Sequence, residues 1–417
     1  MKFPLGLIFL AIMLHACQKN NNSLLIRELQ MVSEGRVETP NWFLSPQNDL
    51  YLSWTEHLQD GQVSLRFRSW ADSAWTETRT VATGQDWFVN WADFPALSVF
   101  PGSEFNLLAH FLQKRAGGKT YDYDVKLALS VDQGSHFRIL EGLHDTIPAE
   151  HGFVTLLPFS YDKILVVWLD GSQMSSGTDD HQGPGDHMGH EGSMNLRAAL
   201  VSVSGEIDQN QVIDDRVCEC CQTDATMTGR GPVIIYRNRN ELEERDIYSV
   251  RYVSGQWTAP QPVFEDHWKI PGCPVNGPAI ASRGNQLAIA WYTEAGGQPT
   301  VKTIFSNNAG ETYGQPVEIA TGNTTGRVDV AWIDAGRVVV SYLEKTDDKN
   351  LDEALIKLTV LSPDGQILSD HKLAKTSAKR KSGFPVIESR DSTLYLAYTR
   401  ILDSVNTKIS VKEIVLP

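Results

Sequence analysis

A short apolar segment that ends in an aromatic residue or a histidine recurs seven times along this 417-residue chain. The copies end at Trp54, His110, Trp168, Tyr236, Trp291, Tyr342 and Tyr398. Each copy follows a further short apolar segment, and most copies precede two more. One repeat therefore contains about four strands in ~50 residues, which is the size of one blade of a β-propeller.

The repeats predict an all-β fold, a seven-bladed β-propeller that occupies residues 24–417 as one domain. The last repeat ends after its third strand, at Val415, and we expect residues 24–32 to supply its fourth strand. Pairing the two chain ends in this way closes the ring and removes exposed sheet edges. Six blades are the alternative, if the second repeat is not a true blade. The expected blade limits are about 41–84, 90–145, 151–216, 218–267, 271–323, 326–378, and 382–417 with 24–33.

The N-terminal region has the pattern of an export signal. Lys2 precedes an apolar run at 3–14, which is too short for a permanent transmembrane helix. The run ends in Leu14-His15-Ala16-Cys17, which resembles a bacterial lipobox. That resemblance implies a signal peptide at 1–16, an acylated Cys17 and a polar tether up to residue 23. We therefore expect a lipid-anchored protein in the bacterial cell envelope, outside the cytoplasm, in an oxidising compartment.

The charge balance bears on possible partners. The chain has 37 basic and 51 acidic residues, for a net charge of −14. This balance argues against nucleic acid as a partner. The expected partners are a membrane, through the anchor, and a glycan or protein ligand.

One hairpin turn carries a recognisable motif. Ser130, Asp132, Gly134 and Phe137 match an Asp-box, in which the carboxylate caps turn amides and glycine adopts a positive φ. Here the chain resembles the sialidase/BNR-repeat superfamily of propellers. Segments 217–223, 245–247, 272–278 and 326–330 are similar to a bacterial group labelled sialidase-like. The resemblance implies the fold more than the activity, because this superfamily hosts many functions.

A sialidase resemblance also implies particular site residues. Sialidases hold the substrate carboxylate with three arginines, attack with a tyrosine activated by a glutamate, and use an aspartate as acid/base. Arg36, Arg327 and Arg380 are the candidates for the arginines. No Tyr–Glu pair matches a motif in this chain, and cysteines occupy two axial positions, which departs from the sialidase pattern. Whether the protein is an enzyme stays open on these grounds.

Four cysteines remain once Cys17 is set aside: Cys218, Cys220, Cys221 and Cys273. Counting 18 residues back from each repeated aromatic gives a column of equivalent positions beside the inner strands. The column contains Arg36, Ala92, Glu150, Cys218, Cys273, Thr324 and Arg380. Cys218 and Cys273 are therefore expected to lie near each other in blades four and five.

The chemistry of these cysteines has three interpretations. One is a disulfide from Cys273 to a member of the triplet, because a bridge between the adjacent Cys220 and Cys221 would be strained. The second is metal ligation, although the spacing is not that of a zinc ribbon. The third is a redox-active or nucleophilic thiol.

A long polar insertion between the second and third strands of blade three is rich in histidine and methionine. Its candidate metal ligands are His181, His187, Met188, His190 and Met194. Such loops leave the propeller on the face where inner strands begin, so we expect this loop and His267 near the cysteines. Thiolate and thioether favour Cu(I), and imidazole suits copper, so the sequence predicts a copper site. The alternative is a solvated insertion without metal.

Three functions follow as hypotheses. The first is an extracytoplasmic, lipid-anchored propeller that binds copper at an axial Cys/His/Met site. The second is a glycan-binding protein or exo-sialidase-like glycoside hydrolase that uses Arg36, Arg327 and Arg380. The third is a protein-binding scaffold with structural disulfides.

Overall fold

The structure is a computed structural model that describes residues 24–31, 35–103, 105–174, 192–346 and 352–417. These residues form thirty strands and two short 3₁₀ helices, and the strands build seven antiparallel sheets. Within the described residues, no helix is long and apolar enough to cross a membrane. The sheets follow one another along the chain as the blades of a propeller.

The first three blades run from the inner to the outer strand in chain order. Strand β1 spans Leu25–Leu29 and belongs to the last blade. Blade one contains β2 to β6, at Arg36–Leu44, Leu50–His57, Val63–Ala71, Ala74–Trp75 and Arg79–Gly84. Blade two contains β7 to β10, at Ala96–Val99, Leu107–Lys114, Tyr123–Ser130 and Arg138–Leu140. Blade three contains β11 to β14, at His151–Ser160, Lys163–Asp170, Met194–Ser202 and Ile207–Val217.

The remaining blades repeat this order. Blade four contains β15 to β19, at Asp224–Thr228, Gly231–Arg237, Ile247–Val253, Gln256–Trp257 and Gln261–Phe264. Blade five contains β20 to β23, at Ala279–Arg283, Gln286–Thr293, Thr300–Ser306 and Val317–Thr321. Blade six contains β24 to β27, at Thr324–Trp332, Val338–Lys345, Glu353–Leu361 and Ile367–Ser377. Blade seven contains β28 to β30, at Val386–Arg390, Thr393–Ile401 and Thr407–Val415, followed by β1; the 3₁₀ helices are Ala295–Gly297 and Arg380–Ser382.

The ring closes by pairing of the two chain ends. Strand β1 lies antiparallel to β30, with Leu25 opposite Val415 and Leu29 opposite Val411. Blade two has four strands of its own, which excludes the alternative of six blades. The prediction of seven blades closed by an N-terminal strand is confirmed.

The repeated aromatics mark the second strand of every blade. All seven terminal residues, from Trp54 in β3 to Tyr398 in β29, are at most 4% exposed. They pack between neighbouring sheets, and Trp54 lies in one cluster with Tyr395 and Ala397 of blade seven. Burial of a large apolar side chain contributes about 1.5–3 kcal/mol, so each of the six Trp and Tyr residues of this column stabilises the fold by about that amount.

Three aspartates on or just before inner strands, of which Asp93 is buried and Asp224 and Asp329 are half-buried, join neighbouring blades. Their carboxylates accept a backbone N–H from the next blade: Asp93 from Phe153 at 2.9 Å, Asp224 from Ile280 at 2.8 Å and Asp329 from Ile387 at 2.7 Å. Burial raises the pKa of Asp93 and of Asp224 to about 7, and it raises the pKa of Asp329 well above the usual range. These contacts tie blade two to three, four to five and six to seven.

The Asp-box residues form the turn between β9 and β10. The Gly134 amide donates to Ser130 Oγ at 2.9 Å, and Asp132 Oδ1 accepts an amide of the same turn at 3.0 Å. Gly134 has a φ of +77°, a conformation that favours glycine. Phe137 packs edge-on against Phe67 of blade one, with ring centroids 6.2 Å apart. The turn therefore also anchors blade two to blade one.

Candidate functional site

The four cysteines lie where the chain approaches the inner strands of blades four and five. Cys218 lies six residues before Asp224, the first residue of β15. Cys273 lies six residues before Ala279, the first residue of β20. The two residues therefore hold equivalent positions in adjacent blades.

One disulfide crosses between these blades. It joins Cys220 to Cys273, whose Cα atoms are 5.9 Å apart. The expected bond from Cys273 to a member of the triplet is present, and its partner is Cys220 rather than the positionally equivalent Cys218. The Cys218 amide donates to the carbonyl of Arg237 at 3.0 Å, and its side chain is only 1% exposed. Cys220 is half-buried and bonds to blade five.

The other two cysteines form a buried pair of free thiols. The Sγ atoms of Cys218 and Cys221 are 3.0 Å apart, and the two residues are 1% and 2% exposed. Cys218 Sγ also lies 3.9 Å from Cys220 Sγ. All four sulfurs therefore belong to one cluster, with the disulfide on its more exposed side.

Arg245 supplies positive charge to the thiol pair. Its Nη1 atom donates to Cys218 Sγ at 3.3 Å and to Glu219 at 2.7 Å, while Nη2 donates to Glu243 at 3.1 Å. Burial alone would raise the pKa of Cys218, but the hydrogen bond from Cys221 and the charge of Arg245 lower it to about 7. Burial and the neighbouring Cys218 sulfur raise the pKa of Cys221 well above its usual value. The pair therefore favours one thiolate and one thiol.

Arg237 joins the two loops that carry the cysteines through hydrogen bonds to backbone carbonyls of blades four and five. This buried side chain donates to the carbonyl of Arg245 at 2.6 Å, to that of Asn276 at 2.9 Å and to that of Tyr292 at 2.7 Å. Its guanidinium also lies 4.9 Å from the ring centroid of Trp268. These contacts fix the Cys273 loop of blade five against blade four.

Gln222 connects the site to the propeller axis. Its Nε2 atom donates to the carbonyl of Ala92 in the segment before blade two at 2.5 Å, and its Oε1 atom accepts the Gly277 amide at 2.8 Å. Below it, the inner strands enclose an axial cavity of about 610 Å³ that also contacts Gln222. Gln222, which follows Cys221, thus lies at one end of the axial cavity.

The His/Met insertion is described only at its ends. Its ligands His181, His187, Met188 and His190 lie outside the described residues, as does Cys17. Met194 is fully buried opposite Val217 in the β13–β14 ladder, and Met174 and Met194 pack in the cluster that includes Cys220. The Met194 end of the insertion therefore lies beside the segment that carries Cys218, and Met174 packs against the same hydrophobic cluster. His267 is exposed on the same side of blade four, 3.9 Å from Glu244.

The three candidate arginines have different environments. Arg36 donates to Glu38 at 2.9 Å. Arg327 is buried, and its Nη atoms donate to Ser382 Oγ and to the carbonyls of Ala378, Lys379 and Gly383. Arg380 is exposed, and both Arg327 and Arg380 face the ring of Trp91, at 4.8 and 5.9 Å. The Nη atoms of Arg327 thus donate to oxygens of the protein itself. Arg380 is therefore the cation of this pair that is accessible to a ligand.

A Tyr–Glu pair that no sequence motif indicated lies on blades two and three. The buried Tyr123 hydroxyl donates to Glu150 Oε1 at 2.6 Å. Burial and the nearby Asp93 raise the pKa of Glu150 to about 8. In the sequence, only the place of Glu150 in the column of equivalent positions pointed to this pair. Tyr123 is 27 residues away and belongs to no motif. Because Tyr123 is fully buried, the pair does not present a nucleophile to a substrate.

A second group of candidate metal ligands lies near the start of blade three. Ligand atoms of Asp124, His144 and His151 all lie within 4.8 Å of one another. Arg115 Nε already donates to Asp124 Oδ1 at 2.6 Å, and the two imidazole rings stack with centroids 4.0 Å apart. A bound cation would compete with the Arg115 guanidinium, so this group fits a structural ion-pair cluster better than a metal site.

No protein-family model matches the chain, and no curated protein sequence matches it. Solved structures match over most of its length. Polysaccharide lyase Uly1 superposes with a TM-score of 0.53 at 9% identity, covering 91% of this chain and 90% of the lyase. An ulvan lyase of family PL25, bound to -[GlcA(1-4)Rha3S]-, gives 0.50 at 12% identity, covering 84% and 82%. NanB sialidase from Streptococcus pneumoniae gives 0.45 at 12% identity, covering 93% and 70%. The likeness to the two lyases, at 9% and 12% identity, shows a shared fold.

Proposed function

We propose that this propeller binds one Cu(I) ion through the thiols of Cys218 and Cys221. The observation that carries the proposal is the 3.0 Å contact between two buried, free sulfurs. Thiolates are soft ligands that select Cu(I) over hard cations. Two thiolates on opposite sides of Cu(I) satisfy its preference for low coordination numbers. The ion would part the two sulfurs as it enters.

The charges around the pair suit such a complex. Two thiolates and one Cu(I) carry a net charge of −1, and the buried Arg245 guanidinium contacts Cys218 directly. Burying a charge is costly unless it is paired, so Arg245 supplies the required counter-ion. Glu219 and Glu243 hold that guanidinium in place.

The same surroundings disfavour zinc. Structural zinc takes four ligands in a tetrahedron. Within the described ranges, the only further metal-ligating atom grouped with the sulfurs of Cys218 and Cys221 is the sulfur of Cys220. That sulfur is already bonded to Cys273 in the disulfide. A site with two available thiols therefore matches Cu(I) better than Zn(II).

Competition with a chromogenic Cu(I) chelator under anaerobic conditions tests the proposal. We expect one Cu(I) per wild-type chain and a loss of most binding in the Cys218→Ser/Cys221→Ser variant. The matched control is Cys220→Ser/Cys273→Ser, which removes the same number of sulfurs and should keep the ion. Equal Cu(I) binding by the wild type and Cys218→Ser/Cys221→Ser would refute the proposal.

The copper hypothesis also gives the export signal a role. We propose that Cys17 is acylated and that the propeller is anchored in the bacterial envelope outside the cytoplasm, where it would meet extracellular copper. Metabolic labelling with a fatty acid checks this: the label should attach to the wild type and not to Cys17→Ser. Equal labelling, or recovery of both proteins in the cytoplasm, would contradict it.

A second candidate function is binding of an acidic glycan beside Trp91. This half-buried indole stacks on Phe384, with centroids 5.7 Å apart, and lies 5.9 Å from the exposed Arg380 guanidinium. A half-buried indole next to an accessible cation fits a sugar ring that carries a carboxylate or sulfate. Uly1 and the ulvan lyase, which superpose with TM-scores of 0.53 and 0.50, are both polysaccharide lyases, in agreement with this candidate.

Affinity electrophoresis in gels that contain uronate-rich or sulfated polysaccharides tests the glycan candidate. Retardation of the wild type should be lost in Trp91→Ala and reduced in Arg380→Ala. Trp75→Ala, at a half-buried tryptophan of blade one, is the matched control. If the wild type is not retarded by any polysaccharide, or if Trp91→Ala migrates as the wild type does, the candidate is wrong.

A further inference from the structure

We propose that the four cysteines are two exchangeable couples, in which the buried thiols of Cys218 and Cys221 reduce the Cys220–Cys273 disulfide within the same chain. This exchange deepens the proposed function, because Cys218 and Cys221 bind copper only while they are reduced. The exchange itself needs no metal. It would make the cluster a store for two electrons that can be passed between a buried and a more exposed position.

The distances place each reacting sulfur beside its target. Cys218 Sγ lies 3.9 Å from Cys220 Sγ, which is contact distance for a thiolate facing a disulfide. Cys221 Sγ lies 3.0 Å from Cys218 Sγ on the other side. Cys218 is therefore in contact with both the disulfide it would attack and the thiol that would resolve the product.

The first step transfers the disulfide to Cys218. Its thiolate attacks Cys220 Sγ, so that a Cys218–Cys220 bond forms while the Cys220–Cys273 bond breaks. The electron pair of the broken bond leaves on Cys273 Sγ, which takes up a proton from water. Cys273 is half-buried and lines an open cleft of about 470 Å³, so water reaches this leaving group.

The second step completes the transfer. Cys221 loses its proton and attacks Cys218 Sγ, forming the Cys218–Cys221 bond and releasing Cys220 with its electron pair and a proton from water. In total, two electrons move from the buried couple to Cys220 and Cys273. The two outer sulfurs take up two protons, of which Cys221 releases one and water supplies the other. No external oxidant or reductant enters the balance.

The two couples differ in accessibility, which gives the exchange a consequence. Cys218 and Cys221 are at most 2% exposed, so a large dithiol or disulfide partner cannot contact them directly. Cys220 and Cys273 are half-buried at the surface. The outer couple would therefore connect the buried copper-binding thiols to redox partners outside the protein.

Trapping the first step in metal-free protein tests the exchange. Cys221→Ser removes the resolving thiol and leaves three cysteines in the cluster, two of them joined in the disulfide. The folded variant is incubated with a small alkylating reagent, quenched in acid and mapped by mass spectrometry. We expect a Cys218–Cys220 disulfide with most of the label on Cys273. The control, Cys218→Ser, should keep Cys220–Cys273 intact and carry no label on Cys273.

The contradicting result is equally specific. If Cys221→Ser retains the Cys220–Cys273 disulfide throughout, whether or not the buried Cys218 is labelled, the exchange is excluded. If the variant does not fold, the wild type gives the same decision, with a Cys218–Cys221 disulfide and labels on Cys220 and Cys273 expected. Wild-type protein that binds Cu(I) without exchange would overturn only this inference. Protein that exchanges without binding Cu(I) would overturn only the copper proposal.

Discussion

Arg245 donates from Nη1 to the sulfur of Cys218 at 3.3 Å, which places a buried guanidinium directly beside one member of a free thiol pair. The arginine is itself held by Glu219 and Glu243. Its charge stabilises the Cys218 thiolate, and it would likewise offset the negative charge of a Cu(I) dithiolate. The position of this cation underlies the first prediction.

Arg245→Gln is expected to weaken Cu(I) binding by about tenfold to a hundredfold, because loss of a charged hydrogen bond to sulfur removes about 1.5–3 kcal/mol. Chelator competition measures the change. Arg239→Gln is the matched control, since Arg239 contacts Glu219 and Glu243 but no sulfur. An equal loss of affinity in both variants would show that the arginines act only through folding.

Gly277→Ala is expected to lower the free energy of unfolding by about 1–3 kcal/mol, because overpacking forces the backbone to shift. An added Cβ would lie 2.2 Å from the carbonyl oxygen of Gln222, the residue at one end of the axial cavity. Gly272→Ala is the control, because a Cβ there meets nothing within 4 Å. Chemical denaturation of both variants checks this, and equal stability would contradict the close approach of the two loops.

Removal of the closing strand should destabilise the ring. Deletion of residues 1–31 takes away β1 and exposes the edge of β30, which then favours aggregation. Deletion of residues 1–23 leaves β1 in place and serves as the control. We expect a clear fall in Tm and concentration-dependent aggregation only for the longer deletion. Similar melting curves for both truncations would contradict the closure.

The pKa of Asp93 predicts a pH-dependent stability. The pKa is about 7 in the folded protein, above the value near 4 of an exposed carboxyl. The unfolded chain therefore loses this proton first as the pH rises. The contribution of Asp93 to the free energy of unfolding is fully present below about pH 4. It falls by about 2–4 kcal/mol as the pH rises to about 7.

Asp93→Asn cannot titrate, and its amide oxygen can still accept the Phe153 amide. The Tm of this variant should therefore fall less than that of the wild type between about pH 5 and pH 8. Thermal melts across this range make the comparison. A wild type whose Tm does not fall, or falls in parallel with that of Asp93→Asn, would contradict the raised pKa.

The fold could be predicted from the sequence because each blade repeats the same local pattern. The seven aromatics predict the second strands, and every one of them lies in such a strand. The missing fourth strand of the last blade also indicated ring closure, which β1 provides. The position of the cysteines followed from the same frame, since Cys218 and Cys273 each lie six residues before an inner strand.

The chemistry of the site could be predicted only in part. Which triplet member bonds to Cys273 depends on side-chain direction, and the short loop turns Cys218 inward and Cys220 towards blade five. The carbonyls that accept hydrogen bonds from Arg327 belong to residues 378–383, more than fifty positions away. Because backbone carbonyls are common to all residues, no residue type in the sequence indicates these contacts. Tyr123 and Glu150 meet through the packing of two blades, which spacing along the chain does not reveal.

X-ray absorption at the copper edge tests the central claim most directly. For wild-type protein loaded with one Cu(I), the account predicts a first shell of two sulfur ligands without imidazole nitrogen, and loss of that shell in Cys218→Ser/Cys221→Ser. A first shell of imidazole nitrogen or thioether sulfur that persists in this variant would place the copper elsewhere and contradict the account.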